Sequence, residues 1–304
     1  MHVTLIHNPN AGDDSHPDAA QLTKLIEKAG HQVRYQSSKD KKWPEVLAKS
    51  SDLVVVAGGD GTVARVARAL IGKKLPLTAL SMGTANNIST SLGITGLSIE
   101  EQIAGWHKAR KAELDAGIAT GPWGERHFIE GVGMGLFAWI MPRATKDKKL
   151  MAIEDADAAI AYALTMFRKR LGEHPAKRVT ASLDGVDISG DYLLFEAMNM
   201  QYIGPNLYLA PKGRPNDGFL DIVVVSDNER EEMDKYLAHW QKRRLTPPEF
   251  PTFRGRHLQI VYSDDHSLHM DDKLMLSEES KPGSTSCHID VKILPGALQF
   301  LMPA

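Results

Sequence analysis

The sequence has little cysteine and no long apolar segment, and both facts narrow the classes of protein that it can encode. A single cysteine, Cys287, excludes an internal disulfide and a zinc site built from cysteines, which favours a reducing, cytoplasmic compartment. Nowhere do eighteen apolar residues follow one another, and no basic segment followed by an apolar one opens the chain. We therefore expect neither a membrane-spanning helix nor a secretory signal.

Neither sign of charge is in large excess, because 36 basic residues stand against 38 acidic ones in a chain of 304 residues. This balance gives no field that would recruit nucleic acid, so we expect no nucleic-acid partner. The twelve histidines include no pair at helical metal spacing with an intervening glutamate, and no GxSxG motif occurs. Zinc proteolysis and serine hydrolysis therefore have no support.

Residues 54–70 read VVVAGGDGTVARVARAL and predict a phosphate site. Three glycines follow the apolar strand: Gly58, Gly59 and Gly61. Without Cβ atoms they let backbone N–H groups approach a polyphosphate, and the helix predicted to begin near Thr62 directs its positive end to the same place. Asp60 beside phosphates indicates a bound cation such as Mg²⁺. An ordinary strand-to-helix turn with an N-cap is the alternative.

The first third of the chain alternates apolar strands with amphipathic helices, which is typical of a doubly wound parallel sheet. The strand ends at Asn8, Gly58 and Gly83 then lie on one carboxyl edge, where open α/β sheets bind ligands. A further helix is predicted through residues 98–111.

From about residue 114 the pattern changes to strand pairs, with an Asp184-Gly185 hairpin, and predicts an antiparallel β domain. One long amphipathic helix is predicted at 151–171. We place the α/β domain at 1–116, with 296–304 packing back on it, and the β-rich domain at 117–295.

Five segments together resemble one family. GGDGT at 58–62 and SMGTANN at 81–87 resemble the paired GGDGT and LGTxND motifs of the diacylglycerol kinase and sphingosine kinase catalytic-domain family, which includes bacterial lipid kinases. NPNAG at 8–12 resembles its NPxxG, LDAG at 114–117 its IDxG, and APKGRPNDGFLDIVVV at 210–225 its PxAxxxDGxLDv stretch. The order and spacing of these motifs cover nearly the whole chain.

The resemblance implies an ATP- and Mg²⁺-dependent kinase that phosphorylates a lipid hydroxyl at the membrane surface. It also implies that the active site lies in the cleft between the α/β domain and a β-sandwich-like domain. The matched nucleotide contacts are Asn8, Ser37, Gly58, Gly59, Gly61, Thr62, Gly83, Thr84 and Asn87. Asp60 and Asp115 would hold the catalytic Mg²⁺. For Ser37 and its neighbour Ser38, an N-cap of the next helix is an equal alternative.

The segment PNDGFLD resembles the family's structural metal loop. This resemblance implies Asp217 as the side-chain ligand and carbonyls near Arg214 and Phe219 as further oxygens for Mg²⁺ or Ca²⁺. From the residues alone, the alternative is an Asp-Gly turn that starts the next strand.

The chain departs from the family pattern at chemical positions. MDDKL at 270–274 stands where the family has DGE, a motif with a carboxylate proposed as the general base. Asp271 matches the aspartate, Asp272 replaces the glycine and Lys273 replaces the glutamate. Asp271 remains the candidate acceptor for the proton, and Asn87 replaces an aspartate. These changes leave a second function open, a catalytically weak nucleotide- or lipid-binding regulatory homologue; an NAD kinase-like enzyme is a third. The sequence also leaves the oligomeric state open between a monomer and a homodimer.

Overall fold

The structure, a computed structural model, describes residues 1–12, 16–241, 249–262, 267–276 and 287–302. The chain divides into two compact units. Unit 1 comprises Met1–Asp115 and Gly296–Ala304, and unit 2 comprises Ala116–Pro295.

Unit 1 alternates strands and helices. Its elements are β1 (His2–His7), α1 (Ala19–Lys28), β2 (Gln32–Ser37), a 3₁₀ helix (Trp43–Ala48), β3 (Leu53–Gly58), α2 (Asp60–Leu70), β4 (Leu77–Ser81), α3 (Asn87–Ser91), α4 (Ile99–Gly105) and the first part of β5 (Arg110–Gly121). The strands β4, β3, β1 and β2 form a parallel sheet in that order. Every residue of β3 is buried, as expected for an inner parallel strand covered on both faces. The predicted doubly wound sheet is confirmed.

The helix predicted through 98–111 is shorter than expected. Ser98 caps α4, which ends at Gly105, and Arg110 already belongs to β5. Glycine has a low helix propensity, so the helix stops there.

Unit 2 is mainly antiparallel. Its elements are β6 (Gly124–Phe128), β7 (Gly131–Gly135), α5 (Leu136–Ala144), α6 (Lys148–Met151), α7 (Ala156–Leu171), β8 (Lys177–Leu183), β9 (Val186–Asp187), β10 (Gly190–Met198), β11 (Tyr202–Ile203), β12 (Leu207–Tyr208), β13 (Leu220–Ser226), a 3₁₀ turn (Asp227–Glu229), α8 (Arg230–Gln241), β14 (Thr252–Gly255), β15 (His257–Tyr262), β16 (Leu268–Met270), β17 (Lys273–Leu276) and β18 (Cys287–Met302), whose last part belongs to unit 1.

Strand β10 is central in unit 2, because it pairs with β7, with β13 and, at its start, with β8. One apolar cluster fills the space among the strands and includes Phe128, Phe195 and Leu258. A second cluster includes Phe137 of α5 and Phe167 of α7. The predicted β-sandwich-like second half is confirmed, and so is the hairpin at Asp184-Gly185, which joins β8 to β9 with positive φ at both residues.

The single helix predicted at 151–171 is wrong at its start. Asp147 caps the short α6, and the Asp155 side chain accepts a hydrogen bond from Ala158 N–H and caps α7. The predicted segment therefore contains only the last residue of α6, Met151, and the whole of α7, which begins at Ala156 because Asp155 is its N-cap. Among the described residues, no helix combines the length and apolar character needed to cross a bilayer.

Candidate functional site

Two glycine loops meet after β3 and β4 in unit 1. Gly59 follows β3 and is the N-cap residue of α2, and Gly83 follows β4. A Cβ atom on Gly83 would lie 2.4 Å from the Gly59 Cα, and one on Gly59 would lie 2.9 Å from the Gly83 Cα. No side chain fits at such distances, so both positions require glycine. The structure therefore brings the predicted phosphate loop at 58–62 and the second motif at 81–87 into backbone contact.

Asn8 and Thr62 lie beside the first loop. The Asn8 side-chain amide donates to the Thr62 hydroxyl at 3.3 Å, and the Asn8 backbone N–H donates to the Ala57 carbonyl at 2.9 Å. A Cβ atom on Gly58 would lie 3.0 Å from the Thr62 Cβ. Gly61 follows in the first turn of α2. The structure thus brings together a residue that follows β1 with residues of β3 and α2.

Asp60 begins α2, but its carboxylate reaches the start of α3. The Oδ1 atom accepts a hydrogen bond from the Ile88 N–H at 3.0 Å. Burial raises the pKa of Asp60, and hydrogen bonds from the backbone of Ile88 and Asn87 oppose that increase. No side chain caps α2, whose N-cap residue is Gly59, so the local geometry fits both a phosphate site and an ordinary strand-to-helix turn, and the phosphate site stays a prediction.

The second loop is closed by a side chain that the sequence analysis did not identify. Asn86 accepts from the Gly83 N–H at 2.9 Å and donates to the Gly83 carbonyl at 2.8 Å. Its φ of 52° is in the left-handed region, where asparagine is tolerated better than most residues. Thr84 is exposed on this loop, and Asn87 is buried at the start of α3.

Ser37 and Ser38 follow β2. The Ser37 hydroxyl accepts from the Lys39 N–H at 3.2 Å, and the Ser38 carbonyl accepts from the Arg65 guanidinium at 2.8 Å. The next helical segment is the 3₁₀ helix, whose N-cap position is Lys42. The helix-capping alternative for the two serines is therefore wrong, and a nucleotide contact at Ser37 stays a prediction.

Asp115 lies on β5 at the point where the chain leaves unit 1. Its Oδ1 accepts from the Gly296 N–H at 2.9 Å, and the residue is 2% exposed. Within the described ranges, no three His, Cys, Asp or Glu side chains form a group that could hold a metal. A Mg²⁺ ion held by Asp60 and Asp115 stays a prediction, which is compatible with the preference of Mg²⁺ for one or two carboxylates together with phosphate oxygens and waters.

In unit 2, Asp271 is buried and has a left-handed φ of 49°. Its Oδ1 accepts from the Glu130 N–H at 2.8 Å and from the Ile129 N–H at 3.0 Å, with the Gly131 N–H at 3.4 Å. The carboxylate expected to act as a base therefore holds the backbone between β6 and β7. The next residues, Asp272 and Lys273, are exposed.

The predicted metal loop contains an ion pair. Asp217 accepts from the Phe219 N–H at 3.1 Å and pairs with the Arg254 guanidinium, which also lies 4.3 Å from the centre of the Phe219 ring. Burial raises the pKa of Asp221 to about 6. Arg214 is exposed. A cation held by Asp217 and the carbonyls of Arg214 and Phe219 stays a prediction.

Two family profiles match the sequence. The diacylglycerol kinase catalytic domain matches residues 2–119, and the YegS C-terminal NAD kinase beta sandwich-like domain matches residues 143–302. A YegS-like lipid kinase of Shewanella frigidimarina is 24% identical, in an alignment that covers 99% of this chain and 94% of the relative's chain. The diacylglycerol kinase of Bacillus subtilis is 24% identical over 73% of this chain and 72% of its own.

Solved structures share the fold. A diacylglycerol kinase from Bacillus anthracis superposes with a TM-score of 0.72 at 21% identity, over 99% of this chain and 96% of that chain. A yeast NADH kinase superposes with a TM-score of 0.54 at 9% identity, over 100% of this chain and 84% of that chain. At these identities the likeness shows the fold alone.

Proposed function

We propose that this protein is an ATP- and Mg²⁺-dependent lipid kinase. The premise is that the chain belongs to the diacylglycerol kinase catalytic-domain family of lipid kinases. It transfers the γ-phosphate of ATP to the hydroxyl group of a diacylglycerol-like or related lipid. The names of its relatives, lipid kinase and diacylglycerol kinase, support the reaction class. Since the acceptor is a lipid, we propose that the protein acts at the cytoplasmic face of a membrane as a peripheral protein.

The contact between the Gly59 and Gly83 backbones is the observation that carries this proposal. At this place no side chain caps the N-terminus of α2, and the two glycines bring the backbones of both loops close to it. The eleven residues of α2 direct a positive helix end to that place, which is where a polyphosphate binds most readily.

The site residues take the following roles in the proposal. Phosphate contacts come from Gly58, Gly59, Gly61 and Thr62, and nucleotide contacts from Asn8, Ser37, Gly83, Thr84 and Asn87. Asp60 and Asp115 hold Mg²⁺, which supplies charge neutralisation on the transferring phosphoryl group when bound. Phosphoryl transfer asks the protein mainly for positioning and charge neutralisation, and backbone amides beside a carboxylate provide both.

In unit 2 we assign the acceptor side of the reaction to the turn at residues 271–273, which we call the Asp271 turn. A loose transition state does not need early deprotonation of the hydroxyl, so a weakly basic carboxylate is sufficient. We also propose a structural Mg²⁺ or Ca²⁺ at Asp217 with the carbonyls of Arg214 and Phe219.

The second candidate is a regulatory homologue that binds nucleotide or lipid with little turnover. Two observations favour it: the Asp271 carboxylate already accepts hydrogen bonds from backbone amides, and Lys273 stands in the place of the family's glutamate.

A transfer assay separates the two candidates. The purified protein is incubated with radiolabelled ATP and Mg²⁺, together with a mixed lipid extract in one reaction and with NAD in a parallel one. Products are resolved by thin-layer chromatography beside an Asp60→Ala control. The kinase predicts labelled lipid with the wild type and none with the variant. Nucleotide binding without transfer to any lipid would favour the regulatory homologue, and label on NAD would indicate an NAD kinase-like enzyme.

A further inference from the structure

Three neighbouring strands of unit 2 place Glu196, Gly133 and His269 in one row. Gly133 on β7 pairs with Glu196 on β10 and with His269 on β16. A Cβ atom on Gly133 would lie 1.9 Å from the Glu196 Oε2, so any side chain here would displace the Glu196 carboxylate. Across this gap the His269 Nε2 lies 2.9 Å from Oε2 and 3.0 Å from Oε1 of Glu196.

The pair is buried, with Glu196 0% and His269 2% exposed. The second ring nitrogen of His269, Nδ1, lies 3.1 Å from the Asp271 carbonyl oxygen. A carbonyl and a carboxylate only accept, so both ring nitrogens donate when the imidazole carries two protons. Burial alone would lower the pKa of His269, but the adjacent Glu196 carboxylate and Asp271 outweigh burial and raise it.

His269 connects the pair to the Asp271 turn. Asp271 donates its N–H to the Gly131 carbonyl at 2.8 Å, and its carboxylate accepts from the amides of residues 129–131. The network therefore runs from β10 through β16 to the segment between β6 and β7. The Phe137 ring of α5 lies against His269 at 6.5 Å between ring centres.

We propose that the buried Glu196–His269 pair is a positioning element for the turn at residues 271–273. It keeps the exposed Asp272 and Lys273 in the arrangement that the acceptor hydroxyl requires. The inference rests on the proposed lipid kinase function.

Stability is a weak reason to bury two charges. Apolar residues of similar volume often replace a buried ion pair without loss of stability, because desolvating the charges offsets their attraction. The pair does fix the orientation of the His269 ring, since Nε2 faces the Glu196 carboxylate and Nδ1 faces the Asp271 carbonyl oxygen. A turn held in this way keeps Asp271 in a left-handed conformation that most residues avoid.

The test replaces the pair by apolar residues of similar size. We expect the double variant Glu196→Met, His269→Leu to melt near the wild-type temperature. We expect its kcat for lipid phosphorylation to fall about tenfold, which corresponds to about 1.4 kcal/mol, with an unchanged KM for ATP. Amide hydrogen exchange at residues 129–131 should become faster, because the Asp271 turn loses its support.

A second variant keeps the test informative if the double variant does not fold. Glu196→Gln keeps the shape and removes the charge that raises the pKa of His269. Wild-type kcat should fall as the pH rises through the raised pKa of His269, and Glu196→Gln should show this fall at lower pH. The matched control is His257→Gln with Asp290→Asn, a half-exposed pair of the same chemistry on β15 and β18, which should change neither readout.

A folded double variant, or a folded Glu196→Gln, with wild-type kcat and wild-type exchange would overturn the inference. If the wild type phosphorylates no lipid, the proposed function fails separately. The exchange measurement then decides alone, since faster exchange at 129–131 supports the positioning role and unchanged exchange refutes it.

Discussion

The Asp60 carboxylate accepts a hydrogen bond from the Ile88 N–H, so one side chain joins the first glycine loop to the segment that follows the second. Asp60 lies at the start of α2 and Ile88 in the first turn of α3. The residue that we assign to Mg²⁺ thus also holds the start of α3, which follows the second glycine loop. A change at Asp60 acts on charge and on loop geometry together.

Asp60→Asn separates these two effects. The amide keeps an oxygen that can accept from Ile88 but removes the negative charge. We expect transfer activity to fall about 100-fold or more, in the range found when one electrostatic group of an active site is removed, while the melting temperature changes little. The exposed Asp40→Asn is the control. Wild-type activity in Asp60→Asn would mean that Asp60 serves only to hold α3.

The pH dependence of Mg²⁺-ATP binding should follow Asp60. Burial raises its pKa above the ordinary 3.8, so the native state retains a proton that the unfolded state has lost. Its contribution to the free energy of unfolding is therefore largest at low pH and declines as the pH rises through the native pKa. Mg²⁺ needs the ionised form, so binding should tighten over the same range. Calorimetric titrations over a series of pH values above 3.8 should show this trend in the wild type and a weaker pH dependence in Asp60→Asn, because the ionisation of ATP contributes equally to both.

Gly83→Ala should abolish nucleotide binding. Its Cβ would lie 2.4 Å from the Gly59 Cα, and backbone cannot move aside as a flexible side chain can. Overpacking of this kind costs about 1–3 kcal/mol, which denaturant unfolding would detect. The control is Gly105→Ala at the end of α4, where a Cβ meets no atom within 4 Å. Equal stability and ATP affinity in the two variants would contradict the contact between the loops.

Asp271→Asn should destabilise unit 2, whereas Asp272→Asn should not. The neutral amide is a weaker acceptor for the N–H groups of Ile129 and Glu130, and hydrogen bonds to charged groups contribute about 1.5–3 kcal/mol each. Asp272 is exposed. Chemical denaturation measures both. A loss of activity in Asp271→Asn without any loss of stability would favour a direct role in proton transfer over a structural one.

Arg254→Gln tests the metal loop. Arg254 now pairs with the Asp217 carboxylate, so removing its charge should strengthen Ca²⁺ or Mg²⁺ binding if Asp217 is a ligand. Arg256 also lies over the Phe219 ring, so Arg256→Gln is the matched control. Titration with each cation, repeated in Asp217→Asn, gives the answer. Equal, negligible binding in all variants would leave the Asp-Gly turn as the correct interpretation.

The sequence predicted the parts of the fold that local patterns determine. The apolar strand at 54–57, the glycines after it and the alternation of strands and helices are properties of consecutive residues. Helix ends were less predictable, because Asp155 interrupts a pattern that is otherwise helical through 151–171. The acidic first turn of α8, with Glu231 and Glu232, was a signal that could have revealed that helix.

The site was predictable residue by residue but not as a set of contacts. No local pattern shows that Gly83 touches Gly59, or that the Asp60 carboxylate reaches Ile88, since these contacts join separate segments. Glu196 gave a usable signal, because an acidic residue inside the apolar strand LLFEAM is costly unless it is paired. Its partner could not be chosen without the register of β10, β7 and β16.

The touching glycines also limit how this enzyme could be re-engineered. Each loop occupies the volume in which the other would need a side chain, so neither can be replaced while its neighbour is kept. To transfer the nucleotide specificity of another kinase of this fold, residues 58–62 and 81–87 would have to be replaced together.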